Sequence, residues 1–256
     1  MSILIAGDLV PTDSNTVFFN EKKIDHLIGK ELLHLFNSCD LCVCNLEVPL
    51  TEHFTPIKKA GPNLVAHEES INGIKAMGIN LVSLANNHIM DQGEQGLNNS
   101  IRVLNDAKIK HIGGGVNIAE ARKPFIDRQN GKTIGFYACA EHEFSIASNF
   151  RAGANPVEIL SNVMDIRQLK DETDYVIVLY HGGKEHYPYP SPVLQKNCRT
   201  LIDAGANLVI CQHSHCIGCE ERYKSGTIIY GQGNFIFDYK DIEWFEQVKR
   251  DRKSVV

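Results

Sequence analysis

A chain of 256 residues with 43% hydrophobic and 22% charged side chains is long enough to bury a sizeable core and too apolar to be disordered. Its formal net charge of −5 gives no general reason to expect nucleic acid as a partner. No apolar run is long enough to span a membrane, and no basic segment with a long apolar run precedes the first strand, so neither a membrane span nor a signal peptide is expected.

Ile3 to Ala6 reads as a short apolar strand ending at Gly7-Asp8. From Glu21 to Phe36, residues Ile24, Leu27, Ile28, Leu32, Leu35 and Phe36 fall on one helical face. Leu41 to Leu46 is a second buried strand, ending at Glu47. Pro49 to Pro62, rich in Thr, Pro and Lys, is a loop. Glu68 to Met77 is a helix closed by Gly78, and Asn80 to Ala85 is the third strand. That strand stops in Asn86-Asn87-His88, followed by Asp91, and Gly93 opens an amphipathic helix to Ala107. Lys110 to Ile112 is a further short strand. The strand–helix alternation predicts a parallel sheet.

The pattern then changes. Lys123 to Arg128 and Thr133 to Cys139, around Asn130-Gly131, predict a β-hairpin. Glu141 to Pro156 is expected to be an irregular surface loop over the site. Pro156 to Leu169 and Val193 to Ala204 are helices. Tyr175 to Tyr180 and Asn207 to Cys211 are apolar strands buried on both faces. Ile217 to Tyr223 and Thr227 to Tyr230 predict a second hairpin around Lys224-Ser225-Gly226. The architecture predicted is α/β: two packed sheets with helices outside, one domain over 1–238, and a charged C-terminal tail over 239–256. That tail is expected either to cover a sheet edge as a helix or to leave returning strands missing.

Eight cysteines include Cys39-x-x-Cys42 and Cys216-x-x-Cys219, a spacing that zinc sites use. Cys42 and Cys44 alternate along a strand, however, and small core residues are the commoner role of free cysteine. Reduced thiols fit a cytoplasmic location.

The strand ends collect Asp8, Glu47, Asn87, His88, His181, His213 and His215. Carboxylate, amide and imidazole ligands suit one or two divalent ions of Mn, Fe, Zn or Mg. His213 and His215, if extended, point to the same side and approach one site together. A carboxylate such as Glu47 is able to bridge two ions. Each residue alone has a plainer reading: a structural histidine at His88, a turn or cap at Asp8, a solvated strand end at Glu47. Their convergence from five strand ends is what favours a site.

Gly7-Asp8, Asn45-Leu46-Glu47, Ala85-Asn86-Asn87-His88 with Asp91 and Gly93, His181-Gly182-Gly183-Lys184-Glu185, Gln212-His213-Ser214-His215 and Gly231-Gln232-Gly233-Asn234-Phe235 follow one another in the order and spacing of a known family. The chain resembles the CapA capsule-biosynthesis family, the poly-γ-glutamate PGA_cap group, across Ile3 to Asp238. That group is similar to the calcineurin-like metallophosphoesterases. The resemblance implies a four-layer αββα sandwich with a metal centre at its strand ends. It implies that Glu47 takes the bridging position, that Asn87, His181 and His213 bind one ion with it, and that Asp8 and His215 hold the other. It implies that His88 protonates the leaving group or steadies the substrate, oriented by Asp91. The superfamily's Asp-x-His reads Asp8-Leu9-Val10 here, which leaves the first site one ligand short.

The function this resemblance implies is metal-dependent phosphoester hydrolysis in capsule or surface-polymer synthesis, on an anionic small molecule or polymer. Amide or γ-glutamyl hydrolysis or transfer on a polyglutamate polymer, with Glu185 as base, is the second reading. A non-catalytic capsule-assembly subunit is the third. Lys58, Lys59 or Lys184 are candidates to meet an anionic substrate, with Asn86, Glu185 and Asn234 as further substrate contacts. Tyr187-Pro188-Tyr189-Pro190 is a candidate aromatic wall.

Overall fold

The first half of the chain builds the parallel sheet that the alternation predicts. In the computed structural model, which describes residues 2–238, strands β1 (Ile3–Val10), β2 (Leu41–Leu46), β3 (Leu81–Ser83) and β4 (Lys110–Ile112) pair in parallel in that order. Helices α1 (Thr16–Asn20), α2 (Asp25–Ser38), α3 (Ile71–Ala76) and α4 (Gly93–Ala107) connect them. The helix expected over Glu21 to Phe36 starts later, at Asp25, and breaks at Gly29, whose φ of 72° lies in the left-handed region. The one expected from Glu68 splits into a 3₁₀ turn, Glu68–Ser70, and α3.

After a two-residue strand β5 (Gly114–Gly115) and a short α5 (Ile118–Ala121), the hairpin β6 (Phe125–Gln129) and β7 (Lys132–Ala140) opens a second sheet. Its turn residues Asn130 and Gly131 have φ of 53° and 72°, the left-handed pair that makes Asn-Gly a hairpin signal. The segment expected to be irregular, from Glu141, carries β8 (Gly153–Ala154), which pairs with β5. Next come α6 (Ile159–Glu172), β9 (Tyr175–His181), α7 (Pro192–Asp203), β10 (Leu208–Gln212), β11 (Glu220–Tyr223), β12 (Gly226–Ile229) and β13 (Asn234–Phe237). The second hairpin starts at Glu220 rather than Ile217, because Ile217 bridges to Gln232 instead. The second sheet runs β11-β12-β10-β9-β7-β6, while β13 returns to the first sheet beside β1.

Side-chain alternation explains the layering. Phe136, Ala138, Ile177, Leu179 and Ile210 share one apolar cluster with Leu9, Val43 and Val82 of the first sheet. Their neighbours Tyr137, Cys139, Val178, Tyr180 and Cys211 face the other way, into a cluster with Ile166 of α6 and Leu194 and Leu201 of α7. The result is the four-layer αββα sandwich. Cys42, Cys44, Cys139, Cys198 and Cys211 are buried free thiols of these layers. The expected charged tail, 239–256, lies outside the described residues. Gln212 and Gln232 tie the sheets together near the strand ends. Gln212 Nε2 donates to Gln232 Oε1 at 3.1 Å, and Gln232 Nε2 donates to the Ile5 carbonyl at 2.5 Å.

Candidate metal centre

The carboxyl ends of strands from both sheets meet at one edge of the sandwich. Asp8 lies within β1, opposite Asn45 of β2, and Glu47 follows β2 immediately. Asn87 and His88 sit in the turn after β3, and His181 closes β9. His213 and His215 follow β10. Among the described residues, two groups have ligand atoms close enough to share a cation: Glu47, His181 and His213, and Asp8, Glu47 and His215. Glu47 belongs to both.

His213 and His215 reach the centre by a different geometry from the one expected. The segment after Gln212 is not extended. Both residues have positive φ, 88° and 54°, and it is these left-handed turns that aim the rings. The His181 and His213 ring centroids are 4.8 Å apart.

Local hydrogen bonds leave a set of polar atoms facing inward. Asn45 Nδ2 donates to Asp8 Oδ1 at 2.8 Å and lies 3.3 Å from His181 Nδ1, so Asp8 Oδ2 is turned to the centre. His181 Nε2 lies 3.0 Å from Asn87 Oδ1 and 3.4 Å from Glu47 Oε1. His215 Nδ1 lies 2.8 Å from Asn234 Oδ1 and 3.4 Å from Asp8 Oδ2. Among the described residues, both oxygens of Glu47, Asp8 Oδ2 and His213 Nδ1 are buried without a hydrogen bond. Buried carboxylate oxygens without donors are strongly disfavoured unless a cation balances them. A divalent cation is of the right charge and ligand type for this set.

Electrostatics agree. Burial pushes the Glu47 carboxyl well above the usual carboxylate range, and the Asp8 charge adds to it. Burial raises Asp8 too, but the close approach of His215 and the charges of His181 and His215 outweigh it and hold Asp8 low. Burial lowers His215, yet Asp8 and Glu47 bring it up to about 9. Burial takes His181 down to about 4 and, with the His181 charge, His213 down to about 3. His181 and His213 are thereby neutral imidazoles, as a cation needs, whereas His215 has a proton to release before it could bind one.

A cavity of about 500 Å³ opens beside the centre. Its walls include Asn87, His88, His215, Lys59 to Pro62, His142 to Phe144, Glu185 and Phe237. His88 Nδ1 is 2.6 Å from Asp91 Oδ2, and Asp91 is fully buried.

The other expected substrate contacts are placed differently. Lys58 is exposed and does not line the cavity; its neighbour Lys59 does, because the loop turns that side chain inward. Asn86 is buried as a bracket: its Nδ2 donates to Asn45 Oδ1 and to the Leu46 carbonyl, and its Oδ1 accepts from His88 N–H. Asn234 meets His215. Glu185 reaches the cavity wall, 4.0 Å from His213 Nε2, beside Glu143 at 3.7 Å. Lys184 stacks over Tyr187, 5.5 Å from the ring centre. Sequence reasoning missed Asn45 and Glu143 as site residues. Asn45 was detectable from its position beside Glu47, while nothing local marks Glu143.

Comparison with known proteins fits this geometry. The family model for the bacterial capsule synthesis protein PGA_cap matches residues 2–239. The capsule biosynthesis protein CapA of Bacillus anthracis is 29% identical over 248 residues, covering 93% of this chain and 60% of that protein. The PGA biosynthesis protein CapA of Bacillus subtilis is 29% identical over 210 residues, covering 80% of this chain and 55% of that one. The chain thus spans little more than half the length of these relatives. Among solved structures, a hypothetical protein of Thermus thermophilus superposes with a TM-score of 0.59 at 14% identity, over 100% of this chain and 86% of that one. A structure described as a novel phosphatase, from Mycoplasma pneumoniae, gives 0.54 at 17% identity, over 91% and 72%. At these identities the likeness speaks for the fold, which is metallophosphoesterase-like. With a family model covering nearly its whole length, the chain belongs to the bacterial capsule synthesis PGA_cap family.

Proposed function

We propose that this chain is a metal-dependent phosphoester hydrolase acting in capsule or surface-polymer synthesis, with residues 1–238 as its single domain. The observation that carries the reading is Glu47: buried, without a hydrogen-bond donor, and common to both ligand groups. Asn87, His181 and His213 are assigned to one ion and Asp8 and His215 to the other. Bound there, divalent ions of Mn, Fe, Zn or Mg would supply an activated water and charge stabilisation on an anionic substrate. Val10 stands where the superfamily has a further histidine, so the site of Asp8 and His215 is taken as the weaker of the two.

The chain's own residues then have defined tasks. Asn45 holds Asp8 Oδ1 and leaves Oδ2 for the ion. Asn234 holds one nitrogen of His215. His88 gives Nδ1 to Asp91 and faces the cavity with its other nitrogen, where it is placed to donate a proton to a leaving oxygen. Phe144 and Phe237 give the cavity apolar walls that limit water.

One observation favours the carbonyl alternative. Glu143 and Glu185 put two carboxylates on the cavity wall, which suits an amide or γ-glutamyl bond better than a dianionic ester. Among the described residues no helix is long and apolar enough to cross a membrane. The assignment to the cytoplasm rests on the free thiols.

The test is a panel of phosphomonoesters, phosphodiesters and γ-glutamyl amides offered to the manganese- or zinc-loaded protein. The hydrolase reading predicts phosphoester turnover that falls by about 100-fold or more in His88→Ala. Turnover of the amides alone selects the carbonyl reading. No turnover of any substrate leaves an assembly subunit.

A further inference from the structure

Lys59 lies in the loop between β2 and α3, yet its side chain is only 2% exposed. Its ammonium is ion-paired with Asp91 Oδ1 and lies 3.2 Å from His88 Nδ1. Asp91 Oδ2 accepts from the Leu64 N–H at 2.6 Å and faces His88 Nδ1, also at 2.6 Å. An ammonium has only donors and a carboxylate only acceptors. The two contacts at Nδ1 compete, and the 2.6 Å approach to Asp91 outweighs the 3.2 Å approach of Lys59. The imidazole proton goes on Nδ1 toward Asp91 Oδ2, the ammonium gives its own proton to Asp91 Oδ1 and not to the ring, and Nε2 is left for the cavity.

The loop that brings Lys59 here is laced to the same turn on both sides. Thr55 N–H donates to Gln92 Oε1 at 2.8 Å, and Ile57 N–H donates to the Asp91 carbonyl at 3.0 Å. Beyond Lys59, Gln92 Nε2 donates to the Leu64 carbonyl at 3.1 Å. Lys59 is thus delivered to Asp91 by a loop whose other contacts fix its path. A role in catching an anionic substrate is disfavoured: leaving Asp91 would strand a fully buried carboxylate.

We infer that Lys59 is a positioning residue. It fixes the Asp91 carboxylate in one rotamer, so that His88 keeps one tautomer and one ring orientation, with Nε2 toward the cavity. The role in turnover rests on the reading that His88 acts on the substrate; the hold on the ring does not.

The first readout needs no substrate. The His88 Nδ1–H, given to a carboxylate at 2.6 Å, should appear as a downfield proton resonance that vanishes in His88→Ala. It is expected to persist in Lys59→Arg and to shift or broaden away in Lys59→Met, with cooperative melting retained. Lys59→Gln, which keeps a donor and loses the charge, serves in the same way if Lys59→Met does not fold. An unchanged resonance in either variant overturns the inference. The second readout is a mutant cycle on any ester the metal-loaded protein turns over. Lys59→Met is expected to lower kcat by up to about 100-fold with KM little changed, and to add almost nothing in a His88→Ala background. An equal loss in both backgrounds overturns the inference. Absence of turnover counts against the hydrolase reading alone, since the resonance is read independently.

Discussion

Two polar networks flank the second sheet, and they differ in how their carboxylates are satisfied. On the outer face, Asp165 of α6 accepts from Tyr137 Oη at 2.7 Å and from Arg122 Nε at 2.8 Å, and its other oxygen meets Arg122 at 2.7 Å. Asn162 Nδ2 donates to Tyr137 Oη at 2.9 Å. At the strand ends, Glu47 is more deeply buried and has no hydrogen bond among the described residues. In the first network the carboxylate is fully paired within the chain, although Asn162 Oδ1 beside it accepts no hydrogen bond among the described residues, and the pairing serves the fold. In the second, a cation would supply what Glu47 lacks among the described residues, and folding alone gives no reason to keep it.

The sharpest way to break this contrast is Glu47→Gln. It should remove metal uptake at both ligand groups, a larger loss than the roughly 10–100-fold that outer partners of a metal site contribute. In chelator the same variant should be more stable than the wild type. Burial raises the Glu47 carboxyl in the folded protein above its unfolded value of 4.5. Above that pH the unfolded chain releases a proton that the native state retains, so wild-type stability falls as pH rises through the window and the variant escapes the loss. Urea unfolding at pH 5 and pH 8, with and without manganese, reads both signs. A variant equal to wild type in chelator at pH 8 would show that Glu47 is satisfied after all.

A smaller effect is expected at Gly7, next to Asp8. A Cβ there would collide with the Gly233 carbonyl, where β1 and β13 run side by side. Gly7→Ala should cost about 1–3 kcal/mol by forcing the strands apart, and should weaken metal binding because Asp8 moves with β1. Thermal melts and metal titration of the variant check the two together. The least effect belongs to the outer network, whose carboxylate is paired. Tyr137→Phe should cost about 1 kcal/mol in unfolding free energy and leave metal affinity unchanged. A change in affinity there would mean that the two networks are coupled.

The sequence revealed the layers and most of the centre, because strand periodicity ends abruptly at polar residues. β9 reads as buried on both faces, and both faces are indeed covered. Glu47, Asn87, His181, His213 and His215 stand out by where their strands stop, whereas Asp8, expected at a strand end after Ala6, lies within β1, which runs on to Val10. His213 and His215 nevertheless come together by a geometry that alternation cannot anticipate, two left-handed residues on either side of Ser214. Lys58 and Lys59 are indistinguishable in a loop without periodicity. Which one is buried depends on how the loop docks on Asp91 and Gln92, a tertiary contact. Asn45 is an amide inside an apolar strand, and only the register that sets it opposite Asp8 reveals its use. Asn86 and Asn234 carry the right chemistry for substrate contact, but neighbouring backbone and imidazole groups engage them first.

The most direct test is the metal content of protein purified without added metal, by elemental analysis, for wild type and His213→Ala. The account predicts manganese, iron or zinc approaching two ions per chain in the wild type, with one ion if the site of Asp8 and His215 is the weaker, and a marked loss in the variant. A wild type that carries no metal and takes up none on addition would contradict it.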